Sequence, residues 1–198
     1  EGGAGDEVTL RRNVEDLAAI ELVPQVLVDV SDVDISTEVL GRRIALPVIG
    51  APTGLCGLVH PEGELALARA LHDAGSIYTL AAMSSYSIEE VARGTSGPLW
   101  FQTYIWRDRA LVVELLHRAR EAGYDTLVVT VDVPRAAVRD RDRRNGFGIP
   151  PRLTVRSALD GLARPAWTYG FLRRQRITAA NVACRAPAGG TDAVNVAA

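Results

Sequence analysis

Lysine is absent from this chain, and all 22 of its basic residues are arginine. Within these residues that excludes Schiff-base chemistry and any amine activated by burial. Beside so much alanine and valine, it reads as genome composition bias. Cysteine is nearly as scarce. Cys56 and Cys184 lie far apart and form no CxxC or Cys/His pattern, so neither a metal site nor a redox motif is expected. Both read as reduced thiols of a cytosolic protein. No apolar run is long enough to span a bilayer, and no signal-peptide pattern is present. Charge of either sign is not in excess: 22 basic residues stand against 24 acidic ones, which gives no footprint for nucleic acid. An initiating methionine is also missing. The opening EGGAGDE and the small, polar tail CRAPAGGTDAVNVAA create the expectation that both ends are cut from a longer sequence.

What is present is a regular alternation. With 198 residues the chain can bury one sizeable core. Four short apolar runs stand out: LPVIGA (46–51), SIYTLAAM (76–83), PLWFQTY (98–104) and DTLVVTVD (125–132). Three amphipathic stretches separate them. PEGELALARALHDAG opens with Pro61 and closes with Gly75, while SIEEVARG carries Ser87 and Glu90 in capping-box spacing. RDRALVVELLHRAREAG keeps Leu111, Leu115, Leu116 and Ala119 at helical spacing and ends at Gly123. Strands alternating with helices at this pitch predict βαβ units and a parallel sheet. The near-continuous apolar character of each run fits strands covered on both faces. A helix, EVTLRRNVEDLAAI, and extended segments occupy residues 1–45, four strands with their helices occupy 46–149, and a long excursion fills 150–198.

In parallel α/β architectures ligands bind at the carboxyl ends of strands. Those ends carry Pro52, Thr53 and Gly54, then Ser84, Ser85 and Tyr86, then Gln102 and Tyr104, then Thr130 and Asp132. Polar residues at any one strand end have the bland explanation of meeting solvent. Four successive ends, with Gln102/Tyr104 and Thr130/Asp132 each two apart and so on one face, favour a shared ligand. Gln102 and Thr130 suit the pyrimidine edge of a flavin, and equally a nucleobase or a sugar. APTGLCG lacks the spacing of a P-loop or dinucleotide fingerprint, but its small residues allow close backbone approach. Beyond Asp132, the run RDRDRRNGF brings Arg139 towards the same rim.

APTG with HPEGE following, then MSSYSIEEVA, WFQTY, TVDVP, RDRDRRNGF and IPPRLT, occur in this order. The set resembles the FMN-dependent 2-hydroxy acid dehydrogenase/oxidase family, which includes glycolate and lactate oxidases, flavocytochrome b2 and mandelate dehydrogenase. The resemblance runs over essentially the whole chain, and LDGLARPAWTYGFLRRQRITAANVA is most similar to the mandelate dehydrogenase branch. It implies a TIM (β/α)8 barrel, of which the first four βα units are present. It further implies FMN as cofactor and oxidation of an L-2-hydroxy acid such as lactate or mandelate to the 2-keto acid. By that resemblance Ala51, Pro52 and Thr53 would line the flavin near its reactive nitrogen. Ser84, Gln102 and Thr130 would hydrogen-bond the isoalloxazine. Tyr104 would bond the substrate, and Tyr86 would sit in its pocket. Asp132 would stabilise a protonated catalytic histidine, and Arg139 would hold the substrate carboxylate.

The family's histidine base, a second substrate arginine, a flavin-contacting lysine and the phosphate-binding loops belong to the second half of its domain. His60, His72 and His117 do not substitute for the base; they read as surface or structural residues. A substrate-contacting tyrosine near the family's N-terminus is also missing. Ala137 stands for a usual glycine, Val138 for a usual polar residue, and Thr103 for a leucine on the face away from Gln102. Gly54 matches the dehydrogenase-like mandelate branch where many oxidases have alanine, which leans towards a dehydrogenase. The resemblance also implies a homotetrameric parent and a cytoplasmic location with peripheral contact at the inner membrane face. The aromatic and arginine-rich segment within 150–180 would make that contact, or would instead pack on a neighbouring subunit or the missing half-barrel. The chain alone is expected to bind negligible FMN and to turn nothing over. Two other readings remain: another FMN barrel such as type 2 isopentenyl diphosphate isomerase, or a non-catalytic half-barrel subunit.

Overall fold

A computed structural model describes residues 2–132, 138–146, 159, 161–173, 176 and 178–182. The chain divides into two units, Glu1–Asp34 with Ala136–Arg152, and Ile35–Arg135 with Leu153–Ala198. In the first, helix α1 (Val8–Ala18) buries no residue of its own, and Val14 and Leu17 stand exposed. A short helix, α5 (Asp140–Arg144), is tied to the start of the chain. The Gly2 N–H donates to Asp142 Oδ1 at 2.6 Å, and Arg141 Nε pairs with Glu7 Oε1 at 3.1 Å.

The second unit opens with an antiparallel hairpin, β1 (Thr37–Val39) and β2 (Arg42–Ile44). Leu40 and Gly41 both take positive φ, the backbone that a two-residue hairpin turn of right-handed twist demands. Then come α2 (Gly63–Asp73), β3 (Tyr78–Ala81), α3 (Ile88–Gly94), β4 (Leu99–Tyr104), α4 (Arg109–Glu121) and β5 (Thr126–Thr130). The strands β3, β4 and β5 form one parallel sheet in chain order.

Of the expected strands, 46–51 shrinks to a single parallel bridge between Gly50 and Tyr78. Pro47 and Pro52 flank that bridge and have no N–H to extend a ladder. Gly50 itself donates to Ile77 O at 2.9 Å and accepts from Thr79 N–H at 3.0 Å. A Cβ there would run into Leu71 and Tyr78, so only glycine lets this segment come so close. The four parallel segments therefore lie side by side in chain order, with a helix after each of the first three. That is the winding of half a (β/α)8 barrel, and not that of a doubly wound sheet, whose strand order reverses.

Helix α3 begins where the sequence signals it, whereas α2 starts at Gly63, two residues after Pro61. Ser87 Oγ accepts from Glu90 N–H at 3.2 Å and Glu90 Oε2 from Ser87 N–H at 2.8 Å, a complete capping box. Asp108 caps α4, accepting from Leu111 N–H at 3.1 Å. The core lies between sheet and helices and includes Tyr78, Leu80, Ile88, Val91, Leu99, Phe101, Leu115 and Tyr124. Tyr124 packs edge-on against Phe101 at 6.0 Å and donates to Ile88 O at 3.0 Å, so its polar end is satisfied as well as its ring. On β5, Leu127 and Val129 are 45% and 41% exposed: they continue the helix-facing row of Phe101 and Thr103, but no helix covers them among the described residues of this unit. One further helix, α6 (Pro165–Arg173), lies in the stretch expected as an irregular excursion. Its Trp167 indole donates to Leu58 O at 3.1 Å, so tertiary contact holds it in place.

Candidate active site at the strand ends

Alternation along β4 sorts its side chains. Leu99, Phe101 and Thr103 point to the helices, whereas Trp100, Gln102 and Tyr104 point to the opposite face. Thr103 is fully buried on the helix side, so its departure from leucine concerns packing. Tyr104 pairs in register with Thr130, and Gln102 with Val128. Across this step Gln102 Nε2 donates to Thr130 Oγ1 at 2.7 Å. The Ala82 N–H faces Gln102 Oε1 at 3.4 Å but spends its main bond on Gln102 O at 2.9 Å, so the amide oxygen keeps accepting capacity. The Thr130 hydroxyl, having accepted from Gln102, keeps its own proton to donate. One acceptor and one donor thus stand side by side at the carboxyl ends of two adjacent strands.

The other expected residues fall into distinct settings. Ala51, Pro52 and Thr53 are exposed on the loop that follows the bridging segment. The Tyr104 ring stacks on Trp106 at 6.2 Å, and its hydroxyl makes no hydrogen bond among the described residues. Asp132 is exposed two residues past Thr130. Ser84 is fully buried; its hydroxyl donates to Tyr86 O at 2.7 Å and accepts from Asn181 Nδ2 at 3.0 Å. Tyr86 is also buried, donating to Pro61 O at 3.1 Å beneath the Arg176 guanidinium, which lies 3.9 Å from the ring centroid. Arg139 belongs to the other unit, at the N-terminus of Asp140–Arg144. Ala137 lies outside the described residues. His60, His72 and His117 are all exposed.

Residues without a signal in the sequence support this rim. Asn181, buried, takes the Ile88 N–H at 3.0 Å and Arg118 Nη2 at 3.2 Å on its Oδ1, and so joins the Ser84 loop to α3 and α4. Arg118 in turn forms a forked pair with Glu89 at 2.7 and 2.9 Å. That bond to Arg118 holds the Glu89 carboxyl down at about 2. Glu64 is completely buried beneath the first loop. Burial, then the Glu64 charge, pushes the Cys56 thiol up to about 11, and burial likewise raises Tyr78. Asn181 sits in a segment with no periodicity, and Glu64 reads in sequence as an ordinary acid in a helical first turn. A cavity of about 440 Å³ opens at the other end of the sheet, by Arg42, Trp100 and Asp125, and neither Gln102 nor Thr130 lines it.

The model of the FMN-dependent dehydrogenase family matches residues 1–193. The chain belongs to that family. It is 42% identical over 183 residues to a putative L-lactate dehydrogenase of Mycobacterium tuberculosis, covering 92% of this chain and 44% of the relative. It is 43% identical over 155 residues to glycolate oxidase 3 of Arabidopsis thaliana, covering 78% and 42%. Among solved structures, the monotopic membrane protein (S)-mandelate dehydrogenase superposes with a TM-score of 0.85 at 38% identity, over 99% of this chain and 51% of that one. A soluble mutant of the Pseudomonas putida enzyme gives 0.72 at 43% identity, covering 79% and 44%. The chain thus spans about half the length of the relatives it matches. The four parallel segments are the first half of the family's TIM barrel, and the family is FMN-dependent. Among the described residues no helix is long and apolar enough to cross a membrane.

Proposed function

We propose that this chain supplies the first half of the active-site barrel of an FMN-dependent enzyme that oxidises an L-2-hydroxy acid to its 2-keto acid. The Gln102–Thr130 pair carries the reading. An imide edge of a flavin presents one N–H donor between two carbonyl acceptors. The remaining accepting capacity of the Gln102 oxygen and the Thr130 hydroxyl proton would complement one N–H and one carbonyl of such an edge. The exposed Ala51–Thr53 backbone, free of bulky side chains, would take the flat ring system, with Ser84 beside it. When bound, FMN would accept the hydride equivalent from the substrate's C2. Tyr104, whose hydroxyl makes no hydrogen bond among the described residues, would bond the substrate, and Tyr86 would border its pocket. Asp132 would stabilise the charged form of a histidine supplied from the second half. Arg139 would pair its planar guanidinium with the substrate carboxylate.

Anaerobic mixing of the FMN-loaded full-length protein with L-lactate, glycolate or (S)-mandelate tests this. Bleaching of the flavin band is expected with at least one of them, slowed by Tyr104→Phe. A flavoprotein that none of them reduces would overturn the reading.

Helix α6 favours a peripheral membrane role in addition. Tyr169 and Leu172 are 65% and 66% exposed, and Leu159 and Leu162 also stand out from the same stretch. Arg173 bonds the Tyr169 hydroxyl at 2.7 Å, which places a cation beside this apolar surface. Aromatic, aliphatic and arginine side chains together suit an anionic lipid surface. Co-sedimentation with anionic but not neutral vesicles is expected, and no binding at low salt would remove the idea.

A further inference from the structure

We infer that Glu64 is a positioning residue that sets the distance between the two loops on which the proposed flavin site rests. It occupies the first turn of α2 and is fully buried. Its Oε1 accepts from Cys56 N–H at 3.1 Å and from Ser85 N–H at 2.7 Å. These amides belong to different loops: Cys56 closes the one that begins Ala51–Gly54, and Ser85 follows β3 next to Ser84. Two more bonds join the same loops. Leu55 N–H donates to Met83 O at 3.0 Å, and Gly57 N–H to Ser85 Oγ at 3.0 Å.

The packing around this clasp leaves little freedom. Gly63 has φ +37°, and a Cβ on it would lie 3.0 Å from Gly57 N, so the start of α2 is pressed against the first loop. A Cβ on Gly54 would sit 3.2 Å from Met83 O, so that loop already lies tight against the second. An apolar side chain could fill the volume that Glu64 occupies, and burying a carboxylate is costly. Only an acceptor of this reach can bond both amides at once. The other carboxylate oxygen is buried and has no hydrogen-bond partner among the described residues, so the geometry is organised around the shared one. Shifting either loop would displace Pro52 and Thr53 relative to Ser84, which are the surfaces proposed to hold the flavin.

The inference rests on the proposed flavin site, and its test separates the two. In the full-length protein, Glu64→Ala is expected to raise the FMN dissociation constant ~10-fold or more, as expected for losing about one well-made hydrogen bond. The bound flavin's absorption and CD spectrum should shift with it. Glu64→Gln keeps the shared oxygen and should restore both. Val91→Ala, a cavity variant in the core, lowers stability and should leave flavin affinity and spectrum unchanged. Wild-type affinity and spectrum in Glu64→Ala would overturn the inference, as would Glu64→Gln failing to the same extent as Ala. If Glu64→Ala does not fold, Glu64→Asp, one methylene too short to bridge, decides: unchanged FMN affinity overturns the inference. A wild-type protein that takes up no FMN instead overturns the functional reading. Amide exchange at Cys56 and Ser85 then still reads the clasp, with faster exchange expected in Glu64→Ala or Glu64→Asp and not in Glu64→Gln; unchanged exchange overturns it.

Discussion

Removing the Asn181 side chain should cost more stability than its position in a segment without regular structure suggests. Its Oδ1 is the acceptor for the Ile88 N–H, in the first turn of α3, and Ile88 is fully buried. Ser87 satisfies the Glu90 amide and cannot also serve Ile88. Asn181→Ala therefore leaves a buried donor without a partner, which costs about 1–3 kcal/mol. The other losses are smaller. Arg118 keeps its fork on Glu89, and the Ser84 hydroxyl keeps its bond to Tyr86 O. The net expectation is about 2 kcal/mol, or a fall of roughly 4–8 °C in melting temperature for a protein of this size, and less for a larger one. Asn181→Asp restores the acceptor beside Arg118 and should recover more than half of that loss. Denaturant unfolding followed by far-UV CD measures it, with the midpoint moving and the slope unchanged. Exchange of the Ile88 amide localises it. A loss below about 0.5 kcal/mol, or an aspartate worse than the alanine, would refute the orphaned-donor reasoning.

Other outcomes follow from the same geometry. With its thiol raised to about 11 from an ordinary 9.0, Cys56 should be alkylated about a hundredfold more slowly at pH 8 than a free cysteine, and Glu64→Gln should speed the reaction by removing the nearby charge; site-mapped mass spectrometry with iodoacetamide checks this. Glu89 is depressed from 4.5 to about 2, so its pairing with Arg118 contributes fully above the ordinary value and is lost as pH falls through the lower one. Because Glu89 is 39% exposed, that contribution should stay below about 1 kcal/mol, and in an acid titration the pH-dependent part of the stability difference between Arg118→Leu and wild type should vanish near pH 2, leaving the loss of the Asn181 bond. Gly57→Ala would drive a methyl into the Arg176 carbonyl and Ser85, costing about 1–3 kcal/mol, and a blue shift of Trp167 fluorescence relative to wild type would contradict the expected loosening of α6 from Leu58.

Local chemistry made much of this molecule legible from its residues. The Ser87/Glu90 box, Gly75 and Gly123 as helix ends, and the apolar runs each follow from rules acting within a few positions, and the helices lie where those rules place them. The motif series from APTG to WFQTY and TVDVP pointed to the family, and the alternation of Gln102 with Phe101 and Thr103 was readable from period two alone. Long-range contacts decided the rest. The run at 46–51 is apolar enough for a strand, yet Pro47 within it and Pro52 just after it, which have no N–H to extend a ladder, leave it one bridge. Helix α6 is held by Trp167 on a carbonyl 109 positions away. Asn181 and Glu64 look unremarkable in sequence because their partners lie on other loops. Hydrophobic period and turn chemistry therefore set which elements form. Only folding brings together Gln102 with Thr130, or Cys56 with Ser85 on one carboxylate oxygen, because a hydrogen bond between strands or loops depends on register and burial that no short window of sequence contains.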